Sequence, residues 1–122
     1  YYKAVNGQVN DLFYYYREQA ALKARQYQRA LDDIVKAIEL SPKDLTYRAE
    51  HAVVNLRVGR YEESMKILNE ILKDEPKYGE AYRLLGLCQI QLKKTDEACG
   101  NFNKAKELGD PNVDELIKKY CK

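Results

Sequence analysis

Residues 79–111 read GEAYRLLGLCQIQLKKTDEACGNFNKAKELGDP, and their spacing decides the fold. Tyr82, Leu85, Gly86 and Leu92 recur at helical intervals. Lys93-Lys94 interrupts them, and Ala98, Phe102 and Ala105 then follow four and three apart, on one helical face. Gly86, Ala98 and Ala105 carry too little side chain to hold two helices apart, while Tyr82 and Phe102 fill the volume beside them. So short a turn forces the two helices to pack antiparallel. Pro111 closes the segment, because proline lacks an N–H and disfavours helix at the residue before it. The stretch predicts a helix pair over 79–92 and 95–108.

The same design extends back through the chain. Pro42 and Pro76 stand 34 residues apart, as do Tyr27 and Tyr61, and Leu22 and Leu56. Arg25-Gln26 and Gly59-Arg60 supply the equivalent brief turns, which predicts pairs over 12–24 and 27–40, then 45–58 and 61–73. A period of this length marks a stack of supersecondary units, each leaving an apolar face that its neighbour covers. After Pro111, Val113, Leu116, Ile117 and Tyr120 make one more apolar stripe, with acidic residues before it and lysines towards its end. That segment reads as a lid on the last unit. The expected architecture is all-α: an α-solenoid of three stacked helix-turn-helix repeats with a C-terminal capping helix.

Composition agrees and removes several function classes. A hydrophobic fraction of 45% with 33% charged residues fits a folded chain with one core, and six glycines with three prolines are too few for an all-β fold. A net charge of +2, with basic and acidic residues interspersed, gives no footprint for nucleic acid. No apolar stretch approaches the roughly 20 residues needed to cross a bilayer. His51 is the only histidine, so no triad or histidine pair can form, and it reads as a packing residue between helices. The adjacent carboxylates Asp32-Asp33, Glu62-Glu63 and Asp74-Glu75 do not face one substrate when they sit on a helix, and read as solvated charges. Gly86 and Gly100 are isolated, so no phosphate-binding loop is present. These observations predict no enzyme, no cofactor and no metal site.

Three cysteines are too few for a disulfide framework. Cys88 and Cys99 fall on inward faces of the third pair and read as small buried hydrophobes. Cys121 lies near the end of the lid, which should pack on helix 95–108. A Cys99–Cys121 disulfide is therefore the alternative for that pair. The compartment stays open accordingly: cytoplasmic or, with the bridge formed, periplasmic or otherwise extracytoplasmic.

The pattern resembles the tetratricopeptide repeat family, whose 34-residue unit runs aromatic, Leu-Gly, aromatic, Ala, Phe/Tyr, Ala and a closing Pro. The third unit has Tyr82, Leu85-Gly86, Ala98, Phe102 and Ala105, with Thr95 at the turn aromatic and Pro111 one residue late. The first has Tyr14, Tyr27, Ala30, Ala37 and Pro42, with Arg17-Glu18 in place of Leu-Gly. The second has Gly59, Tyr61 and Pro76, with Ser64 and Ile71 at the two alanine places. The resemblance covers residues 11–110 and divides the chain into repeats over 11–44, 45–78 and 79–110, with a cap over 111–122. Residues 1–10 read as the end of a preceding repeat helix plus its connection, with residues 1–5 packing on Tyr14 or Tyr16. The chain would thus be the C-terminal part of a longer array.

In that family the first helix of each pair lines a concave groove that takes extended or helical peptides. The matching positions are Tyr15, Tyr16, Gln19 and Lys23 in the first unit, Ala49, Glu50, Val53 and Arg57 in the second, and Arg83, Leu84, Leu87 and Gln91 in the third, with the aliphatics, notably Val53 and Leu84, read equally as packing on the adjacent repeat. The resemblance implies a scaffold that binds a protein or peptide partner there, since such a mixture of Tyr, Arg and aliphatic residues is typical of interface hot spots. Members that grip a terminal carboxylate do so with basic residues and asparagines. The corresponding places here are Tyr15, Gln19, Glu50, Glu80 and Leu84, which would not hold one. The alternative role is structural: a homo-oligomer assembled through the N-terminal face, rich in Tyr14, Tyr15 and Tyr16.

Overall fold

Asn10 and Asp44 begin the first two helix pairs in the same way, each accepting a hydrogen bond on its side chain from a backbone N–H three residues on, Phe13 and Tyr47, at 3.1 Å. The computed structural model describes residues 10–121, and the residues expected to pack on Tyr14 or Tyr16 lie outside that range. Seven helices follow in order: α1 Asp11–Lys23, α2 Tyr27–Leu40, α3 Leu45–Arg57, α4 Tyr61–Asp74, α5 Gly79–Gln91, α6 Thr95–Glu107 and α7 Asp114–Tyr120. The spans meet the sequence expectation to within a residue at most ends, and no strand occurs among the described residues.

One device ends four of these helices. Arg25, Gly59, Lys93 and Gly109 all take positive φ, between 61 and 89°. The next residue's N–H then reaches back five positions: Gln26 to the Ala21 carbonyl, Arg60 to Asn55 and Lys94 to Gln89 at 2.8 Å, and Asp110 to Ala105 at 3.0 Å. This is the Schellman closure, which satisfies carbonyls that the helix end would orphan. Its repetition gives α1, α3 and α5 the same exit and so the same antiparallel partner. Glycine carries the turn in the second unit, whereas Arg25 and Lys93 adopt it at some conformational cost.

The core confirms a stack rather than three independent hairpins. Ala21, Leu22, Ala30, Ile34 and Ala37 of the first pair close around Tyr47 and Val54 of α3. Ala49, Ala52, Leu68 and Ile71 close in turn around Ala81, Leu84, Leu85 and Cys88 of α5. Ala98, Phe102 and Ala105 are sealed by Val113, with Leu116, Ile117 and Tyr120 of α7 packed against them. Each pair thus completes its apolar core with the next element along the chain. Gly86 shows how close the helices come: a Cβ there would stand 2.9 Å from Cζ of Phe102, 2.6 Å from Cδ1, and closer still to Cε1.

Departures from the repeat pattern have local reasons. Ser64, at an alanine place, is fully buried, and its Oγ donates to the Ala52 carbonyl at 2.7 Å. Ser41 and Tyr47 both donate to Asp11 Oδ2, at 2.9 and 2.8 Å, tying the start of α1 to the end of α2 and the start of α3. The Tyr47 hydrogen bond comes first among the causes that hold the Asp11 carboxyl below its ordinary range.

A disulfide joins Cys99 of α6 to Cys121 just past α7, with Cα atoms 5.7 Å apart, and Cys88 is a buried free thiol. No residue of α7 itself is fully buried, so the crosslink and Val113 reinforce the partial packing of Leu116, Ile117 and Tyr120 in holding the lid. Cys121→Ser is expected to lower stability by about 2 kcal/mol, towards the low end for a loop of this size because the lid is small. Reductant should abolish the difference between the variant and the parent. Titration of the unfolded, unreduced protein should find one thiol per chain; three would remove the crosslink from the account.

Candidate functional site

The first helices of the three pairs lie side by side through the stack, with α3 packed directly on α5. Along them Tyr15, Gln19, Glu50, Val53 and Leu87 are partly exposed, and Tyr16, Lys23, Arg57 and Gln91 are exposed. Tyr15 is the anchor of the first step. Its ring lies 5.1 Å from that of Tyr47 on α3 and 5.4 Å from that of Tyr16. Burial, reinforced by the carboxyls of Glu50 and Glu18, pushes its phenol above the ordinary range, so it stays neutral. Val53 packs on both the first and the second core groups, and Leu87 on both the second and the third. These two fill the seams between repeats and still show an edge to solvent. Ala49 and Leu84 instead lie inside the core, at 1% and 4% exposure, and cannot line a groove. They sit on the faces of α3 and α5 turned towards neighbouring helices.

Arg83 also differs from a free groove cation. Its Nε donates to Asp110 Oδ2 at 2.9 Å, its guanidinium lies 3.9 Å from Glu80, and the Asp110 side chain is only 3% exposed. Arg83 therefore ties α5 to the turn after α6. Gln91 is within 3.5 Å of the Tyr61 hydroxyl at the start of α4.

On another side of the same helices, His51 and Asn55 of α3 share a shallow cleft with Leu31 and Val35 of α2 and with Arg60, Glu62 and Glu63 at the start of α4. Burial lowers the His51 imidazole below its ordinary range, and Glu63 opposes that only in part. It stays neutral near pH 7, in line with its reading as a packing residue. Among the described residues no group of acidic, histidine or cysteine side chains is arranged to hold a metal ion, and no helix is long and apolar enough to cross a membrane.

Sequence reasoning passed over Glu18. This residue takes the place of the repeat's glycine, where helices approach most closely, and its side chain has no exposure at all. Among the described residues neither carboxyl oxygen has a hydrogen-bond donor. Asp33 on α2 is no help, being itself an anion held by Arg17 through two bonds at 2.8 and 2.9 Å. Desolvation, then Glu50 on α3, then Asp33 push the Glu18 carboxyl up to about 9, so at neutral pH it carries its proton and can donate it to Glu50. The signal was legible as a charged residue at a position reserved for a small one.

A tetratricopeptide repeat model matches residues 21–85 and, in a second register, 55–100. Curated relatives include heat shock protein STI1 of Saccharomyces cerevisiae, 32% identical over 80% of this chain and 17% of its own length. A second is small glutamine-rich tetratricopeptide repeat-containing protein 2 of Mycosarcoma maydis, 30% identical over 81% of this chain and 28% of its own. The chain thus spans less than a third of either relative. Among solved structures, the Sgt2 TPR domain of Aspergillus fumigatus superposes with a TM-score of 0.79 at 20% identity, over 91% of this chain and 74% of that one. The first TPR of Spaghetti (RPAP3), bound to the HSP90 peptide SRMEEVD, superposes with a TM-score of 0.77 at 19% identity, over 91% and 90%. At these identities the structural likeness concerns the fold.

Proposed function

The chain belongs to the tetratricopeptide repeat family, and from that premise we propose that it is a non-catalytic scaffold receiving a peptide or partner segment along α1, α3 and α5. The observation that carries the reading is a row of partly open side chains, Tyr15, Glu50, Val53 and Leu87, on three successive first helices that each turn another face into the core. A row of this kind presents an aromatic anchor, two aliphatic edges and charge along a path that only an extended or helical segment could follow. That a structural neighbour holds an HSP90 peptide supports the general mode. It does not carry over that peptide's chemistry, because the partly open charge of this row, Glu50, is an acid and would repel a carboxylate tail.

Tyr15→Ala is expected to weaken binding of a groove ligand by about 1–2 kcal/mol, the effect of truncating an aromatic anchor. Far-ultraviolet circular dichroism should remain that of the parent, because Tyr15 lies at the edge of its core group. Isothermal calorimetry of parent and variant against one binding peptide measures the difference. Equal affinities would remove Tyr15 from the interface and the groove reading with it.

A further inference from the structure

We propose that the step between α1 and α3 is a receptor for a cation: Glu50, with Glu18 behind it and Tyr15 and Gln19 beside it, takes a lysine or arginine side chain of the bound segment. The inference deepens the groove reading above and rests on it.

Glu18 is the reason. A fully buried carboxyl with two oxygens that no donor reaches is rare, because the desolvation of such a group is offset only by a partner. Its own proton can go to Glu50, but among the described residues the groups around it offer no donor to either oxygen. On α2, Asp33 is anionic and held by Arg17. On α3, Glu50 is a second acid, and the Tyr47 hydroxyl is given to Asp11. On α1, Tyr15 stands near both Glu18 and Glu50, and Gln19 hydrogen-bonds Tyr15. With Asp33 and Arg17 paired to each other, two further acids and no free base remain among the described residues there, with Glu50 as the partly exposed edge. A ligand ammonium or guanidinium at Glu50 would lie against an aromatic ring, as cations favour. It would also let Glu18 ionise, so binding should release a proton from Glu18 to solvent.

The test uses a library of N-acetylated, C-amidated nonapeptides, so that side chains alone carry charge, selected on the whole chain. Lysine or arginine should be enriched at one position with the parent protein, and Glu50→Gln should reduce affinity for a selected lysine peptide about tenfold. Calorimetry of that peptide in phosphate and in Tris at pH 7.5 should show proton release approaching one per complex with the parent and none with Glu18→Gln. Selection of acidic or purely apolar peptides, or binding indifferent to Glu50→Gln, overturns the cation receptor. If such binding is still lost in Tyr15→Ala, the groove reading survives. No enrichment of any peptide overturns both. Binding sensitive to Glu50→Gln but without proton release overturns the part assigned to Glu18.

Discussion

Phe102→Ala is expected to lower the free energy of unfolding by about 3–5 kcal/mol, a larger loss than any other single truncation in the third repeat. The ring is fully buried and lies over Gly86 of α5. It is also the surface on which Val113 and the lid close, with the Tyr120 ring 6.4 Å away. Removing it leaves a cavity where α6 meets both α5 and the lid, with the crosslink and the neighbouring core limiting the collapse that could fill it. The converse substitution should fail for the opposite reason. Gly86→Ala brings a methyl group within 3 Å of three ring atoms, and overpacking of this kind costs about 1–3 kcal/mol. Because both effects share one contact, Gly86→Ala should be better tolerated beside Phe102→Leu than alone. Urea denaturation of the four proteins measures this. A loss under 1 kcal/mol in Phe102→Ala, or strict additivity in the double variant, would show that the ring is not the close-packed element.

The second large effect is a stability that depends on pH through one residue. Glu18 has a folded-state pKa of about 9 against an ordinary value of 4.5. Below 4.5 the carboxyl is protonated in the folded and the unfolded chain alike, and it contributes no difference. Between 4.5 and 9 the unfolded chain releases the proton while the folded chain retains it, so stability falls as pH rises, and it levels off above 9. At pH 7 the cost is on the order of 3 kcal/mol, taking about 1.4 kcal/mol per pH unit. Glu18→Gln keeps the shape and removes the titration. It should raise stability at pH 7 by about 2 kcal/mol, change it little at pH 4.5, and flatten the profile between. Thermal melts of parent and variant at pH 4.5, 6, 7 and 8 give the comparison. Parallel profiles would mean that Glu18 ionises as freely in the folded protein as in the unfolded one. The same carboxyl links stability to binding: an ion at Glu50 that allows Glu18 to ionise should narrow the difference between parent and variant.

Much of this was legible in the residues themselves. The period between Pro42 and Pro76, the breaks at Arg25-Gln26, Gly59-Arg60 and Lys93-Lys94, and the face shared by Ala98, Phe102 and Ala105 specify helices, turns and pairing order. All of these depend on local backbone preference and on short-range spacing. The choice of Tyr15, Glu50, Val53 and Leu87 came instead from the resemblance to the repeat family, which sets the first helix of each pair along a groove; the structure leaves all four partly open. Other features required the packed chain. The same resemblance named Ala49 and Leu84, yet both are buried in the core, Leu84 by the packing against the adjacent repeat that was its alternative reading. Arg83 is engaged by Asp110, 27 residues away, and Glu18 is enclosed by α2 and α3. Spacing along one helix determines which side chains share a face. What stands opposite that face, and whether it offers a donor, an acid or nothing, is decided only when distant segments pack together.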